Sequence, residues 1–136
     1  MPKTPDADPR TTTATPSDPP VNDSVPPEVQ AIVDALDDKR AKDVRALDLS
    51  PLTASVDCFV IATAESQPQI QALEDAVRER MKEHGRMPRG IEAPSSRWVL
   101  MDYGGVVVHL MSPEAREFYD LEGLWADAET IPVEPG

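Results

Sequence analysis

Apolar residues recur along this chain at two spacings, one suited to helices and one to strands. Val29, Ile32, Val33 and Leu36 fall at i, i+3, i+4 and i+7, which gathers them on one helical face. Pro26 and Pro27 come just before, and a first helical turn tolerates proline because its missing N–H would be unbonded there anyway. The pattern predicts a helix running to about Lys39. Val44 to Leu49 (VRALDL) predicts a short strand, stopped by Ser50-Pro51. Cys58 to Ala64 (CFVIATA) is an unbroken apolar run of strand length, as expected of a strand covered on both faces at the centre of a sheet.

Ser66-Gln67-Pro68-Gln69 has the capping-box pattern, a hydroxyl followed three residues later by Gln. Behind it Ile70, Leu73, Val77 and Met81 keep one face up to Gly85, so a second and longer helix is predicted there. Pro88, Gly90 and Pro94 make Arg86 to Ser96 a loop with at most one short edge strand around Ile91. Two β-rich runs follow, Arg97 to Tyr103 (RWVLMDY) and Val106 to Met111 (VVVHLM). Gly104-Gly105 joins them, the signature of a tight β-hairpin. Ser112-Pro113-Glu114 opens a last helix, with Ser as the cap and an acid near the positive helix end. Helices and strands in this order predict a single α/β domain with a mixed β-sheet flanked by helices.

The hairpin fixes which side chains share a face. With Gly104-Gly105 as the loop, Tyr103, Met101 and Val99 lie opposite Val106, Val108 and Leu110, and that face is wholly apolar. The other face sets Trp98, Leu100 and Asp102 opposite Met111, His109 and Val107. Helices could cover this face too, with His109 bonded to its diagonal neighbour Asp102. Alternatively it is a docking surface, because Trp among aliphatics beside one charge has the make-up of an interface hot spot.

Composition limits how much of the chain joins that domain. Eight of the 15 prolines lie in the first 27 residues, among threonines, serines and four aspartates. Such a stretch buries too little apolar surface to offset its chain entropy, so residues 1–25 are expected to be a disordered leader. The domain is expected over 26–127, and 128–136 as a flexible tail. A truncation beginning near Val25 is expected to keep a cooperative melt within a few degrees of the full chain; loss of that melt would give the leader a structural role.

The net charge is −12. Residues 1–27 and the last nine carry −2 each, which leaves −8 on 28–127. An acidic domain repels phosphate, so little direct nucleic-acid binding is expected, and a basic protein surface is the favoured partner. No run approaches a membrane span and the N-terminus lacks a signal-peptide core. With one cysteine and no cluster of metal-ligand spacing, the chain is expected in the cytoplasm, without disulfide, metal or cofactor.

Catalytic chemistry finds little support. Cys58 sits inside an apolar strand, where a thiol behaves as a small hydrophobe. His84 fits the negative end of the long helix. No phosphate-cradling GxxxxGK[ST] or GxGxxG and no HExxH occurs. Asp37, Asp38, Glu74, Asp75, Glu79 and Glu83 fall on helical stretches and read as solvated faces.

Three stretches carry a resemblance: ALDDKRAKDVRALDLS at 35–50, DCFVIAT at 57–63 and RWVLMDYGGVVVHLMSPEAREFYDLEGLW at 97–125. Together they resemble the ribosomal silencing factor family, also called Iojap or DUF143, over about residues 28–127. The resemblance implies a nucleotidyltransferase-like α/β fold without transferase activity. It further implies binding to the large ribosomal subunit, through ribosomal protein fourteen of that subunit, and a block on joining of the small subunit when nutrients are scarce. Carried over by position, the family's WVxxDYGD and VVVH blocks fall on Trp98 to Gly104 and Val106 to His109. The implied ribosomal-protein-binding set is then Trp98, Leu100, Asp102, Tyr103, Val107, His109 and Met111. Two departures stand out. Gly105 replaces the family's usual Asp, and Ala64-Glu65-Ser66 replaces a Gly-Thr-Ser-like turn.

The competing enzyme reading is a small nucleotidyl- or phosphoryl-transfer protein with Asp48, Asp57 and Asp102 as metal ligands. A homodimer formed through the hairpin face would account for Trp98 equally well.

Overall fold

The computed structural model describes residues 25–133. Helix α1 (Pro27–Asp38) leads to strand β1 (Lys42–Asp48), then β2 (Cys58–Thr63) and the long helix α2 (Gln67–Glu83). Strands β3 (Gly90–Ser95), β4 (Trp98–Asp102) and β5 (Val106–Met111) follow. Short helices α3 (Pro113–Tyr119) and α4 (Leu121–Leu124) and strand β6 (Glu129–Ile131) close the fold. The six strands form one mixed sheet in the order β3-β4-β5-β2-β1-β6. Its centre is the parallel pair β2 and β5, and every other pairing is antiparallel. This is the single α/β domain expected, with CFVIAT at the sheet centre.

Local chemistry sets the element ends. Ser66 Oγ accepts from the Gln69 N–H, while Gln69 Oε1 accepts from the Glu65 N–H, one residue before the usual capping-box partner. Gln69 Nε2 also donates to the carbonyls of Lys39 and Arg40, which ties the start of α2 to the end of α1. The Ala64-Glu65-Ser66 turn therefore still caps its helix. Helix α2 ends at Glu83, and Gly85 just past its cap has a φ of +76°, which suits the residue that terminates a helix.

Helices α1 and α2 cover one sheet face. Val29, Ile32, Val33 and Leu36 of α1 and Ile70, Leu73, Val77 and Met81 of α2 are buried against Val60, Met101, Val108 and Leu110. Each such side chain contributes about 1.5–3 kcal/mol of transfer free energy, so this layer is the main source of stability. The opposite face carries a smaller cluster of Leu47, Leu49, Ile61, Met111 and Ala115, with Phe59, Trp98 and Trp125 packed against it. It is covered by α3, α4 and the segment after them.

The structure sets the extent of the edge strand and of the domain's ends. The edge strand near Ile91 spans Gly90–Ser95, and its register shifts between Glu92 and Ser95, around Pro94, which has no N–H for a ladder. The expected leader lies outside the described residues except for Val25, which is buried in the main core. The expected flexible tail instead supplies β6, with Ala46 paired to Ile131 and Asp48 to Glu129. Trp125 and Ala128 pack into the second cluster and deliver the chain to the open edge of β1. There Arg45 Nη2 donates to Thr130 Oγ1 at 2.8 Å.

Candidate functional site

The hairpin register is the one the glycine turn implies: Trp98 opposes Met111, Leu100 opposes His109 and Asp102 opposes Val107. These residues lie on the face away from α1 and α2. Trp98, Leu100, Asp102 and Val107 are half-buried. Helices do not seal this face as they seal the other, so the docking alternative keeps a surface to act on.

Three of the implied contact residues are not at the surface. Tyr103 points to the helix-covered face and is buried, its hydroxyl without a partner among the described residues, and burial pushes its phenol above the ordinary range. Met111 is fully buried under the second cluster. His109 is 2% exposed. All three can shape the surface without touching a partner.

His109 does not bond Asp102. The Trp98 indole N–H donates to His109 Nδ1 at 3.1 Å. Asp102 Oδ1 accepts instead from the Gly104 N–H at 2.8 Å and so braces its own turn, where Gly104 has a φ of +87°. Both Trp98 and Asp102 are diagonal neighbours of His109; the turn claims one and the imidazole the other. An indole N–H only donates, so Nδ1 carries no proton and the neutral ring is protonated at Nε2.

Burial lowers the His109 pKa to about 4. Above pH 6.5 the ring is neutral in both folded and unfolded chains and does not affect stability. As pH falls from there towards 4, the unfolded ring takes up a proton that the folded one resists, so stability is lost across that window. The full loss is roughly 3 kcal/mol at about 1.4 kcal/mol per pH unit, and about 2 kcal/mol is reached by pH 5. Urea midpoints at pH 7 and pH 5 are expected to separate more for the parent than for His109→Leu. Equal separations would show that the ring ionises freely in the fold.

Trp98 sits within a continuous row of rings. Its centroid is 4.7 Å from Tyr119 and 5.9 Å from His109. Phe118 extends the row outward, 4.9 Å from Tyr119, and Phe59 extends it inward, 4.4 Å from His109 and 6.1 Å from Trp125. Phe118 is 80% exposed and Tyr119 41%. Sequence reasoning misses both, because they lie on α3, about twenty positions from Trp98. The available signal is an adjacent Phe-Tyr pair at the end of a helix whose buried position is Ala115.

The aromatic end of α3 is anchored by Arg116. Its Nε and Nη2 grip both oxygens of Glu122 at 3.0 and 2.9 Å. Its Nη1 donates to the Asp43 carbonyl at 2.6 Å and to Thr63 Oγ1 at 2.8 Å. Arg45 reaches the same Glu122 carboxylate at 2.9 Å. Hydrogen bonds from Arg116 hold Glu122 below the usual carboxylate range against the opposing effect of its partial burial, and Arg45 adds to them. Asp120, in the left-handed conformation with φ 47°, ends α3 and accepts from the Gly123 N–H. A Cβ at Gly123 would lie 2.1 Å from Asp120 Oδ2, so a side chain there would push the Asp120 carboxylate out of its cap.

The three aspartates of the enzyme reading serve local structure. Asp48 Oδ1 accepts from the backbone N–H and the hydroxyl of Ser50, and Asp102 braces the hairpin turn. Asp57 Oδ2 lies 3.0 Å from where a Cβ of residue 105 would stand, so its carboxylate fills the space beside Gly105. Among the described residues no three His, Cys, Asp or Glu side chains converge on a possible metal position. Cys58 is buried and its pKa is pushed up to about 12, by burial first and then by Asp48 and Asp57. It is therefore a neutral thiol and a weak nucleophile at physiological pH. No helix among the described residues is long and apolar enough to cross a membrane.

Comparison with known proteins adds to this geometry. A family model described as ribosomal silencing factor during starvation matches residues 22–135. The ribosomal silencing factor RsfS of Chromobacterium violaceum is 42% identical over 103 residues, covering 72% of this chain and 84% of the relative. That of Halalkalibacterium halodurans is 37% identical over 107 residues, covering 78% and 92%. A crystal structure of a Chromobacterium violaceum protein superposes with a TM-score of 0.70 at 40% identity, over 73% of this chain and 83% of the other. The α/β sheet, its hairpin and the whole described region thus fall within one family, and the chain belongs to the ribosomal silencing factors.

Proposed function

We propose that this protein is a non-enzymatic repressor of translation in the cytoplasm, which binds the large ribosomal subunit and keeps the small subunit from joining it. The observation that carries the reading is the half-buried Trp98 at the middle of an aromatic row on the sheet face that helices cover only in part. Ribosomal protein fourteen of the large subunit is the partner implied by the family. Trp98, Leu100, Asp102 and Val107 form the contact together with Phe118 and Tyr119, while Tyr103, His109 and Met111 support it from beneath.

The domain's charge favours a basic protein surface over RNA. Aromatic anchors supply most of the affinity in such interfaces, and rim charges mainly set encounter rate and salt dependence. The protein is expected to pellet with isolated large subunits, less as salt rises, and not with small subunits. Equal pelleting with both subunits would point to nonspecific adhesion. Self-association through Trp98 without large-subunit binding would make the surface a dimer interface instead.

A further inference from the structure

We propose that His109 is a positioning residue for docking: it takes no part in the contact but fixes the orientation of the Trp98 indole through its Nδ1 acceptor. The inference rests on Trp98 being the docking anchor.

The geometry leaves His109 no other route to a partner. It lies at 2% exposure in the middle of β5, paired on one side with Leu100 and on the other with Ile61. Its ring stands at 70° to Phe59, with centroids 4.4 Å apart, so the imidazole is clamped by neighbours that cannot form hydrogen bonds. Among the described residues its ring bonds the Trp98 indole through Nδ1, and its buried Nε2 has no partner. A neutral histidine kept dry in this way is a poor choice for filling core space, where an aliphatic side chain would incur no desolvation. It is a good choice for presenting one fixed acceptor. An indole held in its bound orientation before contact loses less conformational freedom on docking, which raises affinity without adding a contact.

The test compares five full-length variants for binding to isolated large ribosomal subunits, with the ¹⁵N–¹H indole resonances of Trp98 and Trp125 as a second readout. His109→Leu removes the acceptor and is expected to shift the Trp98 indole resonance, leave that of Trp125 in place and weaken binding by roughly three- to tenfold. His109→Asn places an oxygen near the former Nδ1 and is expected to recover much of the loss. Trp98→Phe keeps a ring but loses the N–H, so combining it with His109→Leu should cost little beyond either change alone. Trp98→Ala serves as the control for docking itself.

If Trp98→Ala binds like the parent, the docking reading fails and positioning fails with it. Positioning alone is overturned if Trp98→Ala loses binding but His109→Leu, with its indole resonance shifted, binds like the parent. Additive losses from Trp98→Phe and His109→Leu would overturn it as well. Should His109→Leu fold poorly, His109→Phe, which keeps a buried ring but offers no acceptor, takes its place in the same comparisons.

Discussion

Trp98→Ala is expected to weaken large-subunit binding about thirtyfold or more while leaving a folded protein. A central aromatic anchor typically contributes on the order of 2 kcal/mol or more at a hot spot. The variant also loses stability, because Trp98 packs on the second cluster and bonds His109. Truncating a fully buried large aromatic costs about 3–5 kcal/mol, but this one is half-buried and lies outside the main core. Its removal also leaves His109 Nδ1 without a donor, a further penalty of about 1 kcal/mol. A total of roughly 2 to 3 kcal/mol lowers the melting midpoint by about 10 °C in a domain of this size. Pelleting below 20 °C, where the variant stays folded, then reads docking alone. Parent-like binding would remove Trp98 from the contact; a melt collapsed far beyond that range would make it a core residue first. Asp102→Asn is the companion probe, since it removes charge yet keeps an acceptor for the Gly104 N–H. It should slow association and flatten the salt dependence with little change in melting.

Arg116→Ala is expected to lower stability sharply by removing the polar anchor of the second face. The guanidinium satisfies a carboxylate, a backbone carbonyl and a hydroxyl at once, and its side chain is only 12% exposed. Removing it leaves Glu122 with Arg45 alone and frees α3 from β1 and β2. Breaking a largely buried pair costs about 3 kcal/mol, which again lowers the midpoint by roughly 10 °C. Arg116→Lys should recover little, because an ammonium cannot reproduce the planar fork on Glu122. Large-subunit binding should weaken in both variants as Phe118 and Tyr119 lose their anchored helix. A melt within a degree or two of the parent would show the cluster to be an ordinary surface ion pair.

Local rules make much of the fold legible in the sequence. A two-residue glycine turn fixes hairpin register, and register fixes which side chains share a face, so the partition between Met101 and Trp98 follows from the residue order alone. The cap at Ser66 and the stop at Gly85 follow from backbone needs within one turn. What stays hidden is long-range. Sequence places Trp98 and Asp102 symmetrically about His109, and only the folded turn shows that Asp102 is occupied by Gly104. Phe118 and Tyr119 join Trp98 through α3, whose placement depends on Arg116 reaching Asp43 and Thr63. Strand β6 escapes notice for a similar reason: three residues with one apolar side chain carry no period, and their place on the edge of β1 follows from Trp125 and Ala128 packing in the second cluster.

Subunit joining tests the central claim most directly. Large subunits are preincubated with the full-length protein, small subunits are added, and the mixture is resolved on a sucrose gradient. Steric exclusion predicts that subunits stay apart, with the protein in the large-subunit fraction, and that Trp98→Ala restores joined ribosomes at the same concentration. Stable migration of the protein with joined ribosomes would contradict it.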